Sequence, residues 1–151
     1  VGFDISEKLL NICSEKGLNV YYSDVLNFNC NKKYNKILAI AVLHHLETEE
    51  EQKKAIINLS NSLSNNGTLL VSFWSKEKKY GTDTNIIKNK SDYRDFNVGP
   101  NYVKWKLNSN NIINRFYYIH DNNSIINLAK SIGLNYIINW ELQNWFILFF
   151  K

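Results

Sequence analysis

Apolar residues in this chain change their spacing several times, and each change marks an element. Residues 1–4 (VGFD) have the look of a strand's tail. Ser6 stands ahead of a stripe of Leu9, Leu10 and Cys13 that Gly17 stops, the pattern of a short capped amphipathic helix. A second extended run, NVYYSD, ends at Asp24. Residues 37–42 are apolar at every position, and a run without alternation predicts a strand covered on both faces, at the centre of a parallel sheet. Thr48 and Glu51 form a capping box for a helix striped by Ala55, Ile56, Leu59 and Leu63, and the NNG of 65–67 is expected to close it.

TLLVSFW (68–74) is the next strand. From Ser75 to about Asn111 the chain is polar, contains Gly99-Pro100 and holds no sustained period, which predicts a long insertion. RFYYIH follows, then a helix from about Asn123 to Ile132 stopped by Gly133, then LNYIINWE and NWFILFF as an antiparallel hairpin. Alternating strands and helices with a terminal hairpin define the expected fold class: α/β, a doubly wound, mostly parallel sheet with an antiparallel C-terminal hairpin. Ligands of such sheets sit at the carboxyl ends of the strands.

Composition narrows the class without naming a chemistry. With 151 residues, 44% hydrophobic and 21% charged, the chain has the makings of one folded domain, and its net charge of +4 tolerates an anionic partner without requiring one. Cys13 and Cys30 fit neither a metal-ligand spacing nor a disulfide framework, so a reducing compartment is expected, and no run approaches a membrane span. Adjacent histidines do not easily share one tetrahedral site, so no metal is expected at His44 and His45. The chain has no Met at all, and Val1 is therefore expected not to be the natural start.

Three strand ends carry candidate chemistry: Asp4, Asp24, and the stretch from Ala41 to His45. An ionised carboxylate only accepts hydrogen bonds, so one at a strand end can hold both hydroxyls of a ribose, and a second at the next strand end can take an adenine amino group. A single strand-end Asp is more often a turn or cap residue; two at successive ends favour nucleoside binding.

Taken in order, VGFDIS, SDV, ILAIAVLHHLETEEE, NNGTLLVSFW, VKW, NRFYYIHD and NWFILFF resemble the class I S-adenosylmethionine-dependent methyltransferases that methylate the carboxyl of 5-carboxymethyluridine at the tRNA wobble position. The resemblance implies a Rossmann-like domain binding S-adenosyl-L-methionine through Asp4, Ile5, Ser6, Asp24, Val25 and Ala41. It also implies a first strand with a glycine-rich loop. No G-x-G occurs here, so residues 1–151 are expected to be a truncated methyltransferase domain. Lys104 stands where the family commonly has Pro. Further implications are a tRNA anticodon loop as substrate, a small zinc-ribbon activator subunit joined by strand addition, and a cytoplasmic setting with the nucleus as a second one.

Methylating a carboxylate needs no strong base, because the nucleophile is already ionised at neutral pH. It needs a grip that positions the oxygen and excludes water. Arg115 is the expected grip, since a planar guanidinium holds carboxylate or phosphate through two N–H groups. His44 and His45 are expected to orient substrate or touch phosphate, with Trp105, Tyr117 and Lys104 in substrate contact and Lys76, Lys78, Lys79 and Lys106 supplying further charge. Two alternatives stand beside this one: a methyltransferase of a small carboxylate metabolite, and a catalytically inactive binding module of the same fold.

Overall fold

A computed structural model describes residues 1–76, 96–108 and 111–151. Strands β1 (Gly2–Asp4) and β2 (Val20–Tyr22) pair in parallel, joined by helix α1 (Glu7–Glu15). Ser6 caps α1 as expected, its hydroxyl accepting from the Leu9 N–H, and Gly17 turns the chain away at φ 73°.

The main sheet combines β3 (Tyr34–Ala39), β4 (Leu63–Trp74), β7 (Asn135–Glu141) and β8 (Asn144–Phe150) in the order β3-β4-β8-β7. β3 runs parallel to β4, and the terminal hairpin adds antiparallel to it through β8. Helices α2 (Glu49–Asn61) and α3 (Asn122–Ile132) complete the layer. Ala55, Ile56 and Leu59 of α2 and Ile125, Leu128 and Ala129 of α3 join Leu69, Val71 and Phe73 of β4 and Trp145, Ile147 and Phe149 of β8 in one buried core. Alternate residues of β4 and β8 supply that face because successive strand side chains point to opposite sides. The capping box of Thr48 and Glu51 is present, and Asp121 and Ser124 form a second one at α3.

Three sequence expectations need correction. α2 ends at Asn61, with Ser62 as its cap, so the NNG of 65–67 does not close the helix. It lies inside β4, at an irregularity where pairing jumps from Tyr34↔Leu63 to Lys36↔Thr68. Gly67 is needed there because a Cβ would lie 2.9 Å from the Tyr34 carbonyl oxygen. Second, β3 is not a covered central strand: among the described residues it forms the edge of the main sheet, with Leu38 70% exposed.

Third, the polar stretch after Ser75 is not unstructured throughout. It contains β5 (Gly99–Asn108), which forms an antiparallel ribbon with β6 (Asn111–Ile119). Lys78 and Lys79 fall outside the described residues. Among the described residues the strands are bonded in three sets: β1-β2, the four-stranded sheet and the β5-β6 ribbon. The ribbon is tied to the main sheet where the Lys76 N–H donates to the His120 carbonyl and the His120 N–H to that of Trp74.

Candidate active site

Asp4 and Asp24 leave the carboxyl ends of adjacent parallel strands, and the backbone N–H of Ser23 donates to the Asp4 carbonyl between them. Their carboxylates already have local work. Asp4 Oδ1 accepts from the Ser6 N–H at 2.7 Å. Asp24 caps a 3-10 turn at Val25–Asn27, taking the Leu26 N–H on Oδ1 at 2.9 Å and Asn27 Nδ2 on Oδ2 at 3.2 Å. Asp24 is a helix cap and Asp4 closes the turn that leads to the Ser6 cap, with Oδ2 open to another donor. Ile5 is exposed, whereas Val25 packs against the core.

β3 leads through Ala41, whose φ of 57° places a non-glycine residue in the left-handed region. The Ala41 N–H donates to Ser72 Oγ at 2.9 Å, so β4 holds that turn in place. The next residues, Leu43–His45, form a tight turn that sets the two imidazoles edge to face, 4.6 Å apart, one buried and one exposed. His44 is 1% exposed, and its Nδ1 has no hydrogen-bond partner. Burial pushes its pKa down to about 3, helped by the charges of His45 and Arg115, so the ring is neutral at physiological pH. His45 is exposed, and its Nδ1 lies 2.9 Å from the carbonyl oxygen of Phe116 on β6.

These rings converge on Tyr117. Trp74 stacks flat on it at 4.0 Å between centroids, with His45 at 4.6 Å and His44 at 5.1 Å, and Phe96 lies 6.1 Å beyond Trp74. Ribbon alternation puts Arg115 on the same face, its guanidinium 5.8 Å from the Tyr117 ring and 5.1 Å from that of Trp105. A cation resting over aromatic faces is held electrostatically while its in-plane N–H groups remain available. Trp105 is 40% exposed, and Lys104, the next residue along the strand, is exposed.

The structure thus gathers His44, His45, Tyr117, Arg115 and Trp105 into one cluster and corrects two expected roles. Tyr117 is only 3% exposed and stacked on Trp74, so it supports the cluster and offers no open face to a base. His44 is sealed in, which leaves His45 as the exposed imidazole of the pair. The sequence reading missed Ser72 and Trp74, although their place at the end of β4 repeats the strand-end signal used for Asp4 and Asp24. It missed the Phe116 carbonyl too, for which no side-chain pattern exists.

Behind the cluster, His120 Nε2 lies 2.8 Å from Gln52 Oε1 and Nδ1 lies 3.1 Å from Ser124 Oγ, and burial pushes its pKa down to about 4. Tyr118 donates to Glu49 Oε1 at 3.0 Å; burial first and that bond second push its pKa up to about 12. These bonds fix β6 to α2 and thereby set the height of Arg115.

This mixed sheet, parallel strands entered by an antiparallel terminal hairpin, is the Rossmann-like fold seen in solved S-adenosylmethionine-dependent methyltransferases. The CcbJ methyltransferase from Streptomyces caelestis superposes with a TM-score of 0.67 at 12% identity, covering 98% of this chain and 72% of that one. An S-adenosylmethionine-dependent methyltransferase from Clostridium acetobutylicum gives 0.64 at 14%, covering 97% and 72%. By sequence the chain is homologous to tRNA (carboxymethyluridine(34)-5-O)-methyltransferases. It is 38% identical over 88 residues to the one from Arabidopsis thaliana, a stretch that is 58% of this chain and 21% of that protein. With the one from Xenopus tropicalis the identity is 32% over 94 residues, 62% of this chain and 14% of that protein. The chain therefore matches only a minor part of these relatives. No family model matches it.

Proposed function

We propose that this chain carries the carboxyl-methylating site of a tRNA wobble-uridine methyltransferase, which uses S-adenosylmethionine to convert the carboxylate of 5-carboxymethyluridine into its methyl ester. The observation that carries the proposal is Arg115, held over the rings of Trp105 and Tyr117 beside His45. With its faces engaged by the aromatic rings, the guanidinium grips an incoming carboxylate edge-on through paired N–H groups. Trp105 supplies the exposed flat face on which an unstacked base rests, and Lys104 supplies charge for the backbone.

S-adenosylmethionine, when bound, supplies an electrophilic methyl group on a sulfonium. Asp4 fits the ribose of such a group, because Oδ2 remains to accept hydroxyl donors after Oδ1 has taken the Ser6 N–H. Asp24 takes one N–H on each oxygen and keeps a lone pair on both, so it caps the turn at Val25 and still stands ready for an adenine amino group. The described residues contain no G-x-G turn for the methionine half. In this proposal a further parallel strand with such a turn lies beside the open edge of β3, where Leu38, Ile40 and Val42 are exposed and Phe3 of β1 meets Tyr34 edge-on at 6.4 Å. The same proposal includes a small zinc-ribbon activator adding along an outer strand, and β2 and β7 are two of the strands with an unpaired edge among the described residues.

The test is label transfer. The protein is incubated with tritiated S-adenosylmethionine and anticodon stem-loops carrying either 5-carboxymethyluridine or uridine. Label in the first RNA alone is expected. Label in small carboxylates but in neither RNA points to a metabolite enzyme, and failure to bind the donor points to an inactive binding module.

A further inference from the structure

Resting on that proposal, we infer that His45 selects the base: its Nε2 accepts a hydrogen bond from the imide N3–H of the uracil ring while Arg115 holds the carboxylate arm. The Phe116 carbonyl 2.9 Å from Nδ1 is an acceptor only, so the proton on that side of the ring belongs to Nδ1. In the neutral ring Nε2 is then the lone-pair atom. Because the partner is main chain on β6, the bond also fixes which way the imidazole faces, one residue away from both Arg115 and Tyr117.

The arrangement suits a donor at one end of the ligand and an anion at the other. The His45 ring centre is 4.6 Å from the Tyr117 centroid and the Arg115 Cζ 5.8 Å, so His45 and Arg115 cannot be farther apart than those distances together. In 5-carboxymethyluracil the C5 arm and the imide N3–H flank the C4 carbonyl, so the carboxylate and the N–H donor lie close enough together to meet two groups within that bound. Arg115 has no acceptor for that N–H, and the neighbouring imidazole of His44 is buried, so among these residues the N–H falls to His45. A cytosine ring presents a bare N3 at the same place, leaving two acceptors opposed.

Three measurements test this. Nitrogen-15 NMR of the His45 ring at pH 8, read through its long-range proton couplings, is expected to show the proton on Nδ1. A proton on Nε2 overturns the inference whether or not the protein transfers methyl groups. Binding of anticodon stem-loops is then measured for wild type and His45→Asn, whose carboxamide N–H keeps the bond to Phe116 but offers nothing at Nε2. With 5-carboxymethyluridine, His45→Asn is expected to weaken binding by about 10- to 100-fold. N3-methylation of the base is expected to weaken wild-type binding by a similar factor and to cost the variant nothing further. Equal losses from N3-methylation in both proteins would show that His45 does not meet N3. Failure of wild type to bind the carboxymethyl RNA in preference to the uridine RNA would instead remove the underlying proposal. Thermal unfolding of His45→Asn at the wild-type midpoint keeps a binding loss distinct from a folding loss.

Discussion

Trp74 lies flat against Tyr117, their ring centroids 4.0 Å apart and their planes 9° from parallel. Through this contact the main sheet grips the β5-β6 ribbon, and with it the guanidinium of Arg115. Stacked pairs contribute about 0.5–1.5 kcal/mol beyond the area they bury. Tyr117→Ala is expected to cost about 3 kcal/mol or more in urea unfolding, because it leaves a cavity under both histidines as well as losing the stack. Tyr117→Phe keeps the ring and is expected to cost less than about 1 kcal/mol.

Gly67 sets the register of β3 against β4. Its missing Cβ would sit 2.9 Å from the Tyr34 carbonyl oxygen and 3.0 Å from that of Ser64, and main-chain atoms cannot swing aside as a side chain would. Gly67→Ala is expected to destabilise by about 2 kcal/mol. A variant as stable as wild type would mean that the two strands approach less closely here.

Two buried imidazoles make stability depend on pH. Burial lowers His44 from its ordinary 6.5 to about 3 and His120 to about 4, so the folded protein refuses protons that the unfolded chain accepts. Their contribution is complete above pH 6.5 and is lost as pH falls through the window down to about 4 and then about 3. The slope within it is at most about 1.4 kcal/mol per pH unit for each residue. Chemical denaturation between pH 7 and 4.5 checks this, and His120→Asn is expected to remove close to half of the slope.

The segments least constrained by distant contacts were the most legible in the sequence. Ser6, Thr48 with Glu51, and Gly133 mark helix ends through bonds within one turn, and the terminal hairpin follows from two apolar runs with a short gap. β5 was hidden because both faces of the ribbon carry exposed residues, Tyr102 on one and Trp105 on the other, so the apolar alternation of a half-buried strand is missing. Residues 37–42 misled for the opposite reason. Their unbroken apolar run calls for cover on both faces, yet Leu38 on β3 and Ile40 and Val42 in the turn after it stand exposed at an edge of the described sheet. In the site, Arg115 and the histidine pair could be singled out by type and position. That one histidine would be sealed and the other bonded to the Phe116 carbonyl depends on how a 3-10 turn meets a strand 71 residues away.

Arg115 is expected to act on turnover and not on donor affinity. Arg115→Ala is expected to lower kcat/KM for the carboxymethyl RNA by about 100-fold with the Kd for S-adenosylmethionine unchanged, since the residue faces the acceptor. Arg115→Lys restores the charge without the two-pronged grip and is expected to recover only a small part of the loss. Recovery close to wild type would mean that charge alone suffices.

The kind of methyl group formed tests the chemistry most directly. RNA carrying 5-carboxymethyluridine is labelled with the tritiated donor, digested to nucleosides and treated with mild alkali. A methyl ester releases its label as volatile methanol, whereas methyl groups on nitrogen, carbon or ribose oxygen keep it. Complete release from one nucleoside, lost in Arg115→Ala, is the expected result; alkali-stable label would contradict methyl transfer to a carboxylate at this site.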